Sequence, residues 1–218
     1  MKKNWLQYNY EFSGLFYRAG KVNCRMVLDI REIGCGLEEP NLIVIMMNPG
    51  GSKPEDRTYK FDKIQNATFV PTQPDLTQWR VIDFMKLHGY KYARILNLSD
   101  LCEPTSGNLK SQEFTDNSNF FLASEENKLF DSFFLKGTDL LIAWGSKDIT
   151  KKVIANALEK IRTKNCPKTY GFQHIKEKQF FYHPLKRPPK GAEYEINLWL
   201  NGVRMLDKHT LNQLFNYP

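Results

Sequence analysis

Asn48 follows an uninterrupted run of six apolar residues, at positions 42–47, and precedes Pro49, Gly50 and Gly51. A short run rich in Leu, Ile and Val is typical of a strand that is buried on both faces. Proline ends such a strand because it has no N–H to donate, and glycines let the backbone turn sharply or approach a ligand. The pattern therefore predicts a core strand that delivers Asn48 to a loop, where the amide either forms the turn or serves a site.

Three further predicted strands, over residues 92–98, 139–143 and 179–182, end in the same way. Ligands of open α/β sheets bind beyond the carboxyl ends of the strands, so four polar ends at one edge predict a binding site. Asn97 either caps its strand or offers a donor and an acceptor to a ligand, and Trp144 is favoured as core packing over ligand stacking. The polar ends read NPGG, NLSD, WGS and HPLKRP.

The segment 52–74 is polar and aromatic and contains three prolines. Long loops of this kind in compact domains are typical lids or binding loops. The segment contains Asp56, Thr58, Tyr59 and Phe61, and a plain loop charge is the simpler interpretation of Asp56.

Amphipathic helices alternate with the predicted strands, which indicates a parallel sheet covered on both sides. We expect helices between Thr77 and Gly89, from Ser124, and after Ser146. The predicted fold class is α/β: a three-layer α/β/α domain, residues 1–218, with a central, mostly parallel four-stranded sheet. An N-terminal hairpin is expected at residues 12–18 and 24–30, and the Asn201-Gly202 pair predicts a second hairpin between residues 198–200 and 203–205.

The composition is that of a globular protein, with 218 residues of which 41% are hydrophobic. The longest apolar run is far shorter than the ~20 residues of a membrane span, and the N-terminus lacks a signal-like apolar stretch. The four cysteines form no CxxC pair, so we expect reduced thiols, no metal and no cofactor in a cytoplasmic protein. Among oligomeric states, a monomer is favoured.

Positive charge is concentrated in the C-terminal third of the chain. Residues 147–190 carry 12 Lys or Arg and 3 Asp or Glu, which is a net charge of +9. The whole chain has a net charge of +7, so the residues outside this segment sum to −2. Such asymmetry indicates an anionic partner, usually nucleic acid, or merely a solvated surface.

The ordered strand ends resemble the uracil-DNA glycosylase-like superfamily, and cover about residues 12–190. The elements that carry the resemblance are Asn48-Pro49-Gly50, Leu96-Asn97, Leu140-Leu141-Ile142-Ala143-Trp144-Gly145 and His183-Pro184-Leu185. With Asp56-Arg57-Thr58, the pattern is most similar to a small bacterial family of unknown function in that superfamily.

The resemblance implies N-glycosidic bond hydrolysis, with DNA favoured over RNA or a nucleotide as partner. Asn48, His183 and Asp56 would be catalytic. Substrate-binding residues would be Pro49, Gly50, Thr58, Tyr59, Phe61, Asn97 and Trp144, and nucleic-acid contacts would be Leu185, Lys186 and Arg187. Leu185 directly follows His183-Pro184, so the Ser-Pro pair of the superfamily pattern is missing. Two alternatives remain: a non-catalytic nucleic-acid or nucleotide binding module, and an N-glycosidase of free nucleosides or nucleotides.

Overall fold

A computed structural model describes residues 9–102, 128–145, 151–185 and 198–216. These residues form nine strands, five α-helices and a 3₁₀ turn at Ile64–Asn66. The strands are β1 (Tyr10–Ala19), β2 (Val22–Glu32), β3 (Leu42–Met46), β4 (Lys53–Pro54), β5 (Phe69–Gln73), β6 (Tyr92–Asn97), β7 (Asp139–Ile142), β8 (Thr169–Gly171) and β9 (Arg204–Met205). The helices are α1 (Leu76–His88), α2 (Lys128–Phe133), α3 (Lys151–Arg162), α4 (Leu198–Gly202) and α5 (Lys208–Phe215).

All nine described strands join one mixed sheet in the order β4-β5-β1-β2-β6-β3-β7-β8-β9. Only the pairings β6–β3, β3–β7 and β7–β8 are parallel, and the other five pairings in the described chain are antiparallel. The predicted three-layer fold with a central, mostly parallel four-stranded sheet is therefore wrong. The sheet is larger and mostly antiparallel.

The N-terminal hairpin explains much of this difference. Strands β1 and β2 are 10 and 11 residues long, and β2 pairs with β6 instead of standing apart from the sheet. The edge of β1 is then covered by β5, which comes from the segment predicted to be a loop. Because the hairpin buries apolar residues on both faces, it belongs in the middle of a sheet rather than beside it.

Alternate residues of β3 face two hydrophobic cores, one on each side of the sheet. Ile43 and Ile45 pack against the core that includes Val153 and Ile161 of α3. On the other face, Leu42, Val44 and Met46 of β3 belong to a second core with Trp79 and Phe84 of α1 and Trp199 of α4. Strand β3 is therefore buried on both faces, as its apolar run predicts.

Helix α1 confirms its predicted end but not its predicted start. Gly89 closes it in the left-handed conformation, with φ of 76°, whereas Asp75 and not Thr77 caps it. Residues 179–182 do not form the predicted fourth strand, whose place beside β7 is taken by β8. The predicted C-terminal hairpin is also wrong, because α4 replaces its first strand. Ser124 and Ser146 lie outside the described residues.

Candidate functional site

Strands β3, β6 and β7 bring their polar ends to one edge of the sheet. Met46 is paired with Asn97 and Ile45 with Ile142 in the two parallel registers. The pairing continues past the strands, since the N–H of Leu98 donates to Met46 O at 2.8 Å. Asn48, Asn97 and Trp144, the residues predicted to meet, therefore follow neighbouring strands at the same edge.

The segment that ends in His183 reaches the same edge without forming a strand. The N–H of Gly145 donates to Phe181 O at 2.7 Å, and Phe181 forms isolated bridges with Gly145 and Gln173. Trp144 is fully buried, and its indole N–H donates to Gln179 O at 3.0 Å. Trp144 thus fastens this segment to β7 and packs in the core.

Asn97 is the most unusual of the predicted site residues. Its side chain is fully buried, and neither Nδ2 nor Oδ1 has a hydrogen-bond partner among the residues that the structure describes. Its neighbours Leu96 and Leu98 belong to the core that includes residues of α3, the α3-side core. Because side chains alternate along a strand, the amide of Asn97 points to the opposite face of the sheet, the α1 side. A buried amide without partners costs free energy, and such groups in native proteins call for a reason such as a ligand or water.

Asp75 ties helix α1 to the turn after β3. One oxygen, Oδ1, accepts from Thr77 N at 2.7 Å, and Oδ2 accepts from Gly51 N at 3.0 Å. Gly50 has a φ of +67°, and a Cβ on it would lie 2.9 Å from Asp75 Oδ2. Only glycine fits this turn without strain, because the conformation is left-handed and the carboxylate approaches closely.

A cleft of about 480 Å³ opens beside this turn. Phe16, Tyr59 and Phe61 form an aromatic cluster in its wall, with ring centroids 5.4–6.3 Å apart and edge-to-face contacts. The cleft also contacts the glycine turn and the chain just after Asp100. The described lining residues are Phe16, Asn23, Gly50, Gly51, Ser52, Lys53, Pro54, Asp56, Arg57, Tyr59, Phe61 and Cys102.

Asp56 lies at the cleft, but its carboxylate organises a local turn. Oδ1 accepts from Thr58 N at 2.8 Å and from Thr58 Oγ1 at 2.7 Å. These bonds hold the pKa of Asp56 below its ordinary value, because they favour the ionised form. The Asp56-Arg57-Thr58 motif therefore shapes the loop that carries Tyr59, and a carboxylate with a lowered pKa is a weaker base.

His183 is partly buried near the same turn. Burial lowers its pKa to about 4, and the charge of Asp75 opposes that shift. Its Nδ1 accepts from Leu185 N at 3.2 Å, so the proton of the neutral ring sits on Nε2. At neutral pH, His183 is thus an uncharged hydrogen-bond donor.

The remaining predicted site residues lie around this edge. Pro49 is buried and Asn48 partly buried, whereas Thr58 is exposed and Leu185 is 36% exposed. Among the described residues, the cleft lining does not include Asn48, Asn97 or His183. Lys186 and Arg187 lie outside the described residues.

Two neighbours of the site were not predicted from the sequence. Asp75 had a signal, because Asp75 and Gln78 form the D-x-x-Q pattern of a capping box. Arg25 had a weaker one: a charged residue between Cys24 and the apolar stretch 26–28. Its side chain is fully buried in β2.

Within the described residues, no group of three His, Cys, Asp or Glu side chains is arranged to hold a metal ion. None of the described helices is long and apolar enough to cross a membrane.

Residues 35–185 match a family described as "Protein of unknown function (DUF1643)". This match spans more than half of the chain, so the protein belongs to that family. The matched region includes β3, the loop of residues 50–61 that lines the cleft, and the segment that ends in His183. No curated protein and no solved structure matches the chain. The resemblance to a family of unknown function is thus confirmed, and the link to uracil-DNA glycosylases remains a proposal.

Proposed function

We propose that this protein binds a nucleobase at the carboxyl ends of β3 and β6 and hydrolyses the N-glycosidic bond that holds it. The observation that carries the proposal is the amide of Asn97, fully buried and without a partner in the described structure. The amide group offers one acceptor and a pair of donor hydrogens. A base edge that presents N–H beside C=O satisfies both atoms of such an amide at once.

The cleft at the glycine turn after β3 suits a nucleotide. Its volume of about 480 Å³ lies within the range of small-molecule sites. Tyr59 and Phe61 are half-buried in its wall, so their rings offer surfaces on which a base can stack. The glycine turn lets a ligand approach the backbone closely.

Catalysis in this proposal relies on neutral groups. His183 donates from Nε2 and stabilises the negative charge that develops on the departing base. Asn48, one residue beyond the end of the buried run, holds a water molecule through its carbonyl oxygen. An amide cannot take a proton as a carboxylate does, so the reaction is expected to be slow.

The sequence motifs support this chemistry because they resemble those of uracil-DNA glycosylases. In that superfamily, an Asn-Pro or Asp-Pro strand end, a base-reading Asn and a His-Pro motif recur in the same chain order. The net charge of +9 over residues 147–190 favours nucleic acid as the carrier of the base, and the resemblance to uracil-DNA glycosylases favours DNA over RNA.

Binding without catalysis is the second candidate. It is favoured by the state of Asp56, whose carboxylate is committed to Thr58 and whose pKa is lowered. With Asp56 engaged in this way and Asn48 uncharged, the site would recognise a base and leave its bond intact.

Base release distinguishes these candidates. The protein is incubated with single- and double-stranded DNA and RNA that contain uracil, hypoxanthine, mismatched thymine or normal bases, and with free nucleosides, and mass spectrometry detects free base. The proposal predicts release that falls at least tenfold in Asn97→Ala and His183→Gln. Asn212→Ala and His209→Gln are the matched controls, because both residues are exposed on α5.

Release from nucleosides alone would assign the protein to nucleotide metabolism. Unchanged release in Asn97→Ala would contradict the proposed site. Base binding without any release would favour the binding module.

A further inference from the structure

Two buried arginines of the sheet differ in how their charge is satisfied. Arg94 donates from Nε and Nη2 to the two carboxylate oxygens of Asp29, at 2.7 and 2.8 Å. Arg25 is fully buried, and its Nε, Nη1 and Nη2 have no hydrogen-bond partner among the described residues. Leaving a buried guanidinium without acceptors is more costly than leaving a neutral group unpaired. Arg94 therefore has a structural partner, whereas Arg25 has no hydrogen-bond partner in the part of the chain that the structure describes.

The pairing of β2 with β6 becomes irregular at the end of the two strands where Arg25 and Asn97 lie. The regular register ends where Val27 faces Leu96, and the next contact joins Arg25 N to Asp100 O at 2.8 Å. The two residues from Val27 back to Arg25 in β2 thus lie opposite the four residues from Leu96 on to Asp100. The intervening N–H groups of Leu98 and Ser99 donate to Met46 O and Met47 O in β3 and its extension, both at 2.8 Å. Bulges of this kind redirect side chains and are common next to active sites.

Arg25 and Asn97 face the same side of the sheet. Cys24 and Leu96, the residues just before them, both belong to the α3-side core. Because side chains alternate along a strand, Arg25 and Asn97 point to the α1 side. Two polar side chains that are fully buried and lack partners in the described structure thus occupy adjoining strands of one face.

The charge of Arg25 is balanced although its hydrogen bonds are not. Burial lowers its pKa to about 10, and nearby Cys102, Asp75 and Asp100 oppose this shift. Burial raises the pKa of Cys102 to about 11, so its thiol is neutral at pH 7 and the two carboxylates supply the negative charge. A further anion would meet repulsion from both carboxylates, whereas an uncharged acceptor would not.

We propose that Arg25 is a second base-reading residue, which donates to a ring carbonyl oxygen and restricts the site to carbonyl-bearing bases. This inference rests on the proposed function and names the substrate class of the same site. A guanidinium has five N–H donors and no acceptor, so it pairs with a carbonyl oxygen but not with an exocyclic amino group. Uracil, thymine, hypoxanthine and guanine carry a ring carbonyl beside an N–H, cytosine carries a ring carbonyl without that N–H, and adenine carries no carbonyl. The side chains are buried in the free protein, so the base reaches them only as the site opens.

Inosine and adenosine form a matched pair of probes, because they differ only in the carbonyl or amino group and the adjoining ring nitrogen. Calorimetric titration is expected to show that the wild-type protein prefers inosine by at least tenfold. Arg25→Met is expected to bind inosine ~10- to 100-fold more weakly, because the base loses its hydrogen bonds from a charged donor. Its affinity for adenosine should be unchanged, so the preference disappears.

Thermal unfolding distinguishes a ligand-binding arginine from a structural one. Replacing Arg25 by an apolar residue of similar size removes buried donors that lack partners in the described structure, but it also removes the charge that balances Asp75 and Asp100. These two effects oppose each other, so Arg25→Met should change Tm little, whereas Arg94→Met should lower it because the buried carboxylate of Asp29 loses its hydrogen-bonded partner. Arg25→Lys keeps the charge and loses the planar fork, and should reduce the preference for inosine with the fold intact.

Three results would overturn the assignment of Arg25: an unchanged preference for inosine in Arg25→Met and Arg25→Lys, a loss of Tm in Arg25→Met as large as that in Arg94→Met, or an effect only on inosine 5′-monophosphate. The last result would make Arg25 a phosphate ligand. Failure of the proposed function looks different, because the wild-type protein would then bind no nucleoside and Asn97→Ala would change nothing.

Discussion

The carboxylate of Asp75 joins the first turn of helix α1 to the turn after strand β3, through a 3.0 Å hydrogen bond from Gly51 N to Oδ2. The same carboxylate caps α1 through Thr77 N, and its charge acts on both His183 and Arg25. A helix cap therefore positions the loop that begins at Asn48, and it sets the charge of the site.

Asp75→Asn should loosen this connection. An asparagine still caps a helix, but its amide NH₂ cannot accept from Gly51 N, so we expect a loss of ~1 kcal/mol of folding stability. Base binding should weaken as well, because the glycine turn loses its anchor. Urea denaturation and calorimetric titration would check both effects. Asp207→Asn is the matched control, since Asp207 caps α5 through Thr210 N and contacts no site residue in the described structure. Equal effects of the two variants on binding would contradict the role of Asp75.

Gly50→Ala should be more harmful than Gly89→Ala. Both glycines have positive φ, of 67° and 76°, so alanine costs about 1–2 kcal/mol at either position. At Gly50 the new Cβ also meets Asp75 Oδ2 at 2.9 Å, whereas at Gly89 it meets open space. Denaturation midpoints would compare the stabilities. A Gly50→Ala variant as stable as Gly89→Ala, with base binding intact, would show that the close contact with Asp75 is unimportant.

His183 should make the folded protein less stable in mild acid. Its pKa is about 4 when folded and near its ordinary value of 6.5 when unfolded. Between these values the unfolded chain binds a proton that the folded chain does not, so stability falls as the pH drops from 6.5 to 4. His183→Gln should remove this loss, which is on the order of 1–3 kcal/mol.

Urea denaturation at pH 7.0, 6.0, 5.0 and 4.5 would measure the difference between wild type and His183→Gln, with the exposed His209→Gln as control. A difference that stays constant across this range would show that His183 titrates normally. Base release should also be independent of His183 protonation between pH 6.5 and 8, because the ring is neutral throughout.

Phe61→Ala should weaken base binding ~10- to 100-fold, the usual cost of removing a stacking ring. Phe61 lies in the cleft and contacts Phe16 and Tyr59 edge to face. Phe69→Ala is the matched control, because Phe69 is outside the cleft lining and packs against Phe133. Calorimetric titration would compare the two, and equal affinities would remove the aromatic cluster from the site.

The short apolar strands were predictable because burial on both faces leaves a clear mark in the sequence. Residues 42–47 and 92–98 are short and rich in apolar residues, and β3 and β6 coincide with them closely. The overall sheet was not predictable in the same way. Whether a hairpin such as β1–β2 stands apart or joins the sheet depends on long-range pairing, and local patterns do not encode that choice. The same holds for β5, which pairs with β1 although Pro71 lies within the strand and Pro74 directly follows it.

The site was partly predictable for a related reason. Asn48 and Asn97 could be predicted as site residues because each stands at the carboxyl end of a recognisable apolar strand. Arg25 was missed because its burial results from the irregular pairing of β2 and β6, which no local pattern reveals. The placement of Asp56 in a turn with Thr58 likewise depends on hydrogen bonds within the folded loop.

Contact between the base and the side-chain amide of Asn97 is the central claim, and NMR tests it most directly. The Nδ2 resonances of Asn97 can be identified in ¹⁵N–¹H spectra by their absence from Asn97→Ala. Adding inosine or uridine should shift these resonances and slow their exchange with water, because a buried amide without a described partner gains one. Saturation of the protein with nucleoside, with these resonances unmoved, would contradict the account and place the base elsewhere.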